Sequence, residues 1–175
     1  TINLGSLIGK YRMAGCVINT EVYQGHGKHW MALFADWRDP QNCSVEFFNS
    51  SGNAPDPAWS LWRERSRDAL VAAGHRMRPQ SYCGFTTDLC RVTNKRHQHS
   101  KTECGVYSIF YIWARLRGIQ PDYFNSNFVS DQWIFLFRQH LFDGRESQFF
   151  AQENGGKFDW EKYSTMVKIK WEATP

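Results

Sequence analysis

The chain has 175 residues, 42% of them apolar and 22% charged, a length suited to one domain and a composition that excludes the low-hydrophobicity, high-charge signature of disorder. Twenty-one Lys and Arg against seventeen Asp and Glu leave a net charge of +4, too small to compel nucleic-acid binding, although it permits DNA contact without requiring it. No run reaches the roughly eighteen consecutive apolar residues of a membrane-spanning helix and no apolar leader opens the chain, so no membrane partner is expected and the protein reads as soluble and intracellular.

Eight Trp, seven Tyr and thirteen Phe are enough planar side chains to make the core aromatic rather than aliphatic. The five cysteines (16, 43, 83, 90 and 104) form an odd, irregularly spaced set, which reads as free thiols and not as a disulfide framework. The first residue is Thr, not Met, which reads as a chain trimmed from a longer one.

In chain order, residues 13–20, 30–37 and 43–48 are short apolar, β-favouring runs, and the turn residues Asp39-Pro40-Gln41-Asn42 make the last two a hairpin. Asp56-Pro57 caps and opens a helix over 57–73 that Gly74 closes, with Ala58, Trp62, Ala69, Leu70 and Ala73 on its inner face. Residues 86–92 form a weak strand candidate. The segment 104–116, CGVYSIFYIWARL, is apolar on nearly every side, as expected of a helix at the centre of the domain. Ser130-Asp131 caps a further aromatic helix that runs to Phe142. The division is a unit over 1–142 and a polar extension over 143–175, in which Val167, Ile169 and Trp171 alternate with charged residues as one strand.

Cys104 stands where a polar loop turns into the central helix, and the partial positive charge of a helix N-terminus favours a thiolate there. If the hairpin forms, His29 just before its first strand and Asn49 just after its second lie at the same open end. A thiolate–imidazole pair needs a third group to accept the ring's Nδ1–H, and an Asn carbonyl oxygen does this without ionising. Gln98, six residues before the cysteine, carries an amide NH2 that, with the backbone N–H of Cys104, would make an oxyanion hole. Taken singly, each has an ordinary reading: an inert buried thiol, a solvated loop histidine, a turn asparagine, an exposed loop glutamine.

Together, His29-Trp30, Phe47-Phe48-Asn49-Ser50 and Gln98-His99-Ser100-Lys101-Thr102-Glu103-Cys104-Gly105 resemble, in order and spacing, the motifs of the cysteine peptidases that include the SUMO-specific proteases and the adenovirus maturation protease. The runs GCVINT, GKHW, VEFFNSSGN, VTNKRHQHSKTECGVYSIFYIWARL and FRQHLF resemble the SUMO-protease-like, polyprotein-processing proteases of African swine fever virus and related large DNA viruses, from about Gly15 to Phe142. The resemblance implies an α+β, papain-like or Ulp-type fold in which helices pack a central mixed β-sheet and the catalytic cysteine begins a buried central helix. It implies Cys104 as nucleophile, His29 as general base and acid, Asn49 as orienting residue, Gln98 as oxyanion donor and Trp30 as the flank of a narrow channel that admits paired glycines. It also implies a protease domain over 1–142 that lacks the family's upstream segments, no cofactor and no metal.

The implied partner is a viral structural polyprotein cut after Gly-Gly during virion maturation, or a ubiquitin-like protein with the same ending, the latter making the chain a SUMO- or ubiquitin-removing enzyme. The implied location is host cytoplasm and virion. Oligomeric state is left open. Gly155-Gly156 reads as a flexible turn rather than a self-processing site. A non-enzymatic rival, a zinc-type nucleic-acid-binding module built on Cys83, Cys90, His97, His99 and Cys104, lacks the close ligand pairs of such modules. An acyl-transferring enzyme on a related scaffold lacks a phosphate-cradling element.

Overall fold

A computed structural model describes residues 3–21, 25, 28–55, 57–78 and 92–142. In chain order the elements are helix α1 (Gly5–Ile8), strands β1 (Met13–Asn19), β2 (Trp30–Asp36) and β3 (Ser44–Phe48), and helices α2 (Pro57–Ala72), α3 (Cys104–Leu116), α4 (Asp122–Ser126) and α5 (Asp131–Phe142). The architecture is α+β. The strands follow the apolar runs to within a residue or two, and Asp39 closes the β2–β3 connection by accepting the Asn42 N–H at its carbonyl and the Gln41 N–H at its carboxylate.

The sheet order is β1-β2-β3 and both pairings are antiparallel. The parallel part expected of a mixed sheet is, among the described residues, one isolated bridge between Cys43 and Met77. The connections over 20–29 and 37–43 are too short for the crossover of a dozen or more residues that parallel neighbours need. The weak strand candidate at 86–92, apart from Val92, lies outside the described residues, as do Cys83, Cys90 and the extension 143–175 with its strand candidate and its glycine pair.

Helix α2 ends one residue short of the expected boundary, with Gly74 at φ +85° just beyond it, so Ala73 belongs to the turn and is exposed. Trp62 and Leu70 are buried as expected, Ser66 shares their face, and Ala69 is half-buried. Asp56 and the side chain of Ala58 lie outside the described set. In α5 the expected cap is present: the Trp133 N–H donates to Ser130 Oγ at 3.2 Å.

Alternation along the strands builds two cores, one on each face of the sheet. Ala32, Phe34 and Phe48 face α3, α4 and α5 in an aromatic cluster with Tyr107, Phe110, Tyr111, Phe124, Trp133 and Phe137. Met31, Leu33, Ala35, Val45 and Phe47 face the other way, against Leu4, Trp62 and Leu70. Burial on both faces is why β2 reads as a continuous apolar run rather than an alternating one.

One polar cluster crosses the first core. Glu46 is 3% exposed and Arg115 is fully buried. Arg115 donates from Nε to Glu46 Oε2 at 2.8 Å and from Nη2 to Glu46 Oε1 at 2.9 Å, a bidentate pair. It reaches Asp36 Oδ2 at 3.1 Å and the Ile119 carbonyl as well. Tyr111 donates its hydroxyl to Glu46 Oε2 at 2.6 Å, and the Ser44 hydroxyl donates to Oε1. Burial opposes the guanidinium's charge, but Glu46, Tyr111 and Asp36 more than offset it and hold the group ionised. The pair bolts α3 to β3, and Tyr111 adds a ring stacked on Phe48 at 4.5 Å between centroids.

Removing one partner of such a pair leaves the other charge buried and uncompensated. Glu46→Ala is expected to lower the unfolding free energy by about 3–5 kcal/mol. Urea denaturation checks this, and Glu46→Leu combined with Arg115→Met should cost less than the sum of the two single changes.

Candidate active site

The open end of the hairpin carries the site. β2 begins at Trp30 and β3 ends at Phe48, and their antiparallel pairing sets His29 and Asn49 side by side. The His29 ring bonds Asn49 through Nε2, at 2.7 Å from Oδ1. The ring is therefore turned the other way from the expected Nδ1–H···O=C contact. With Nε2 engaged, Nδ1 is the nitrogen left for the sulfur, and His29 and Cys104 lie close enough for each to shift the other's titration. The physical reason is reach: Asn49 sits at the strand end facing the far side of the imidazole, so the nitrogen nearer the His29 backbone is turned to the helix.

Asn49 is 3% exposed and its amide orientation is fixed. Oδ1 accepts the Ser51 backbone N–H at 3.0 Å and the Ser51 hydroxyl at 2.8 Å, and Nδ2 donates to the Asn53 carbonyl at 3.3 Å. A backbone N–H can only donate, so the atom it meets is the oxygen. The residue closes an Asx turn and takes the imidazole N–H with the same atom. Gly52 completes the turn, its N–H donating to the Asn49 carbonyl at 2.9 Å with φ +75°. A Cβ there would stand 2.5 Å from the Asn94 carbonyl oxygen, so only glycine lets the turn seat against residues 94–95.

Cys104 is the first residue of α3 and is 7% exposed. Burial pushes its thiol up, but the hydrogen bond to His29, the Trp30 backbone N–H, the charge of His29 and the Gly105 backbone N–H together bring it below the ordinary thiol value. The hydrogen bond to Cys104 is the largest influence on His29; burial opposes it, the Asn49 bond and the Cys104 charge reinforce it, and the ring ends above its usual value. The two shifts have one cause, a thiolate beside an imidazolium. Burial alone drives the other described thiols the opposite way or leads in doing so: Cys16 is raised, and Cys43 is pushed up to about 11 with help from Asp36 and Asp39.

Gln98, 7% exposed, lies beside the same turn. Its Oε1 accepts the Ser50 hydroxyl at 2.7 Å and its Nε2 donates to the Ser100 carbonyl at 2.8 Å. Trp30 is 41% exposed and so is not a core residue. Its indole lies along the start of α3, where a Cβ on Gly105 would come 3.8 Å from Cδ1. Ser50, Ser51 and the Trp30 N–H escape a reading from residue types: the serines look like loop filler, and a main-chain donor has no letter in the sequence. The Asn-Ser-Ser-Gly pattern, an Asx-turn composition, is the one signal that pointed at Ser51.

The described residues of the zinc rival, His97, His99 and Cys104, go separate ways. His97 is fully buried among Phe48, Phe124 and Phe128. Its Nδ1 accepts the Val129 N–H at 3.2 Å, and burial drives it down to about 4, so it is a neutral core histidine. His99 is exposed, and Cys104 is committed to His29. Among the described residues, no three His, Cys, Asp or Glu gather as a metal group.

In the comparisons with known proteins the fold matches that of solved pS273R protease structures, which is α+β and Ulp- or adenain-like. No family model matches the chain. The chain is 43% identical over 129 residues to the SUMO-1 cysteine protease S273R of African swine fever virus isolate Pig/Kenya/KEN-50/1950, covering 73% of this chain and 43% of that protein. It is 44% identical, with the same coverage, to the SUMO-1 cysteine protease S273R of isolate Tick/South Africa/Pretoriuskop Pr4/1996. The crystal structure of the selenomethionine form of ASFV pS273R protease matches with a TM-score of 0.63 and 41% identity, over 75% of this chain and 44% of that one. The chain is thus related in sequence and in fold to these viral cysteine proteases, and it spans less than half the length of the relatives it matches.

The paired shifts have a readable sign. The Cys104 value is lowered, so its thiolate persists until pH falls through that lowered value; the His29 value is raised, so its charge persists until pH rises through it. Iodoacetamide is expected to alkylate Cys104 in preference to Cys16 and Cys43 at pH 6–7, with His29→Ala moving the reactivity toward the ordinary thiol range near 8.5. Peptide mass mapping across a pH series reads both outcomes.

Proposed function

We propose that the chain is a cysteine endopeptidase of the SUMO-specific-protease type that cleaves after Gly-Gly in viral structural polyproteins. One observation carries this reading: Cys104 at the head of α3 is electrostatically coupled to His29, whose ring is in turn held by Asn49 at 2.7 Å. The names of the African swine fever virus relatives, cysteine proteases, support it.

The Cys104 thiolate attacks the scissile carbonyl carbon. The oxyanion that forms meets the Gln98 Nε2–H and the Cys104 backbone N–H. The His29 imidazolium gives its proton to the departing amine, the C–N bond breaks, and a thioester remains. Neutral His29 then takes a proton from water, whose hydroxide attacks the thioester, and the thiol leaves as a thiolate while a carboxylic acid is released. Asn49 accepts the Nε2–H throughout and keeps the ring aimed at the sulfur. The Trp30 indole, exposed and lying beside the start of α3, would form the wall that favours paired glycines. The workplace of such an enzyme is host cytoplasm and virion; among the described residues, no helix is long and apolar enough to cross a membrane.

A second reading, a SUMO- or ubiquitin-removing enzyme acting on host conjugates, is favoured by the SUMO-1 protease name of the relatives. Both readings use one site, and a panel of Gly-Gly-X peptides against ubiquitin-like C-terminal esters separates them by rate.

Cys104→Ala is expected to abolish cleavage of a Gly-Gly peptide without lowering the melting temperature, and undiminished cleavage would refute the assignment. Asn49→Ala should cost roughly tenfold in kcat, about 1.4 kcal/mol, because orientation and not the base is lost. Gln98→Ala should lower kcat by on the order of a hundredfold. The kcat/KM profile should be a bell, rising through the lowered Cys104 value and falling through the raised His29 value.

A further inference from the structure

Gln98 can serve a tetrahedral oxyanion only if its amide presents nitrogen, not oxygen, and holds still while charge develops. A glutamine has three rotatable bonds and a two-fold ambiguous end, so both requirements have to be imposed from outside. Two residues with no assigned part in the reaction impose them. Ser50, 1% exposed, donates its hydroxyl to Gln98 Oε1 at 2.7 Å and anchors that end of the amide, while the Ser100 carbonyl, which can only accept, fixes the other end as Nε2. The Ser50 carbonyl also accepts the backbone N–H groups of His97 and Gln98, at 2.8 and 3.0 Å, tying the loop to the turn that holds Asn49.

From the other side comes Asp131, the first residue of α5. Its Oδ2 accepts the backbone N–H of Ser100 at 2.8 Å and of His99 at 3.0 Å, with Oδ1 at 3.3 Å from the latter. The Tyr107 hydroxyl, one helical turn beyond Cys104, lies 3.0 Å from Oδ1. Asp131 therefore fixes Ser100, and the Ser100 carbonyl takes one of the two Nε2 hydrogens of Gln98. In the oxyanion reading the second Nε2 hydrogen is the one that meets the substrate oxygen. Charged acceptors give the stronger hydrogen bonds, so this side of the grip is the firmer one.

We propose that Ser50 and Asp131 are positioning residues that act on catalysis through Gln98, Ser50 by anchoring the amide oxygen and Asp131 by fixing the Ser100 carbonyl that sets which end of the amide is nitrogen. This rests on the reading of Gln98 as oxyanion donor. It separates two jobs within one turn: Asn49 serves the base, and its neighbour Ser50 serves the oxyanion hole.

The test is a mutant cycle on the 175-residue chain with a fluorogenic Gly-Gly peptide. Ser50→Ala and Asp131→Asn are each expected to lower kcat roughly tenfold to a hundredfold with KM little changed. Neither should lower kcat further in a Gln98→Ala background, and neither should move the rate or pH profile of Cys104 alkylation, which needs no oxyanion hole. Full additivity with Gln98→Ala, or a shifted alkylation profile, would overturn the proposal while leaving the oxyanion reading intact. If Gln98→Ala itself retains full kcat, the oxyanion reading falls and the proposal with it. Should Asp131→Asn fail to fold by thermal melting, Ser50→Ala decides alone, since it removes one hydroxyl from a turn.

Discussion

The bidentate contact between Arg115 and Glu46 is the interaction on which the rest of the structure depends. Cys104 belongs to α3, whereas His29 and Asn49 flank the ends of two strands of the sheet, so their meeting is only as accurate as the docking of helix on strand. Apolar packing gives that docking its strength but tolerates sliding; a buried ion pair with fixed fork geometry does not. Such pairs add little net stability over an apolar substitute, and their use here is registration. The stacked Phe48 and Tyr111 rings extend it to the residue just before Asn49.

The sheet end and the helix end then meet with their polar groups already arranged. Burial disfavours both a charged thiolate and a charged imidazole, yet placed against each other, with two main-chain donors on the sulfur, each lets the other ionise. The same logic read in reverse accounts for Cys43 and His97, which are buried without a partner charge of the right sign and stay neutral. Identical residue types are thus shifted in opposite directions by their neighbours alone.

Much of this was legible in the sequence, and the reasons are local. The three strands, the break at Gly74, the Ser130 cap and the start of α3 at Cys104 each follow from apolar periodicity or from a residue with one preferred conformation. The gathering of His29 with Asn49 followed from a hairpin whose turn was recognisable. What was hidden involves partners far apart in the chain. Arg115 reads as the polar edge of an apolar helix, and Glu46 as an interruption of the run around Phe47; nothing local shows that they neutralise each other across 69 positions. The orientation of the His29 ring was also out of reach, since it turns on which face of the imidazole the strand end presents. The expectation of a mixed sheet came from a likeness of family; the three described strands pair antiparallel through their short connections, and the parallel contact among the described residues is the Cys43–Met77 bridge.

The sulfur's two main-chain donors carry a consequence for how this protein can drift over generations. An amide hydrogen at Trp30 or Gly105 is supplied by every amino acid except proline, so it is indifferent to what side chain occupies the position. The polarity that keeps the thiol poised is therefore encoded in the path of the chain, not in its alphabet. Side chains around the cleft can therefore change while the main-chain donors beside the sulfur stay as they are.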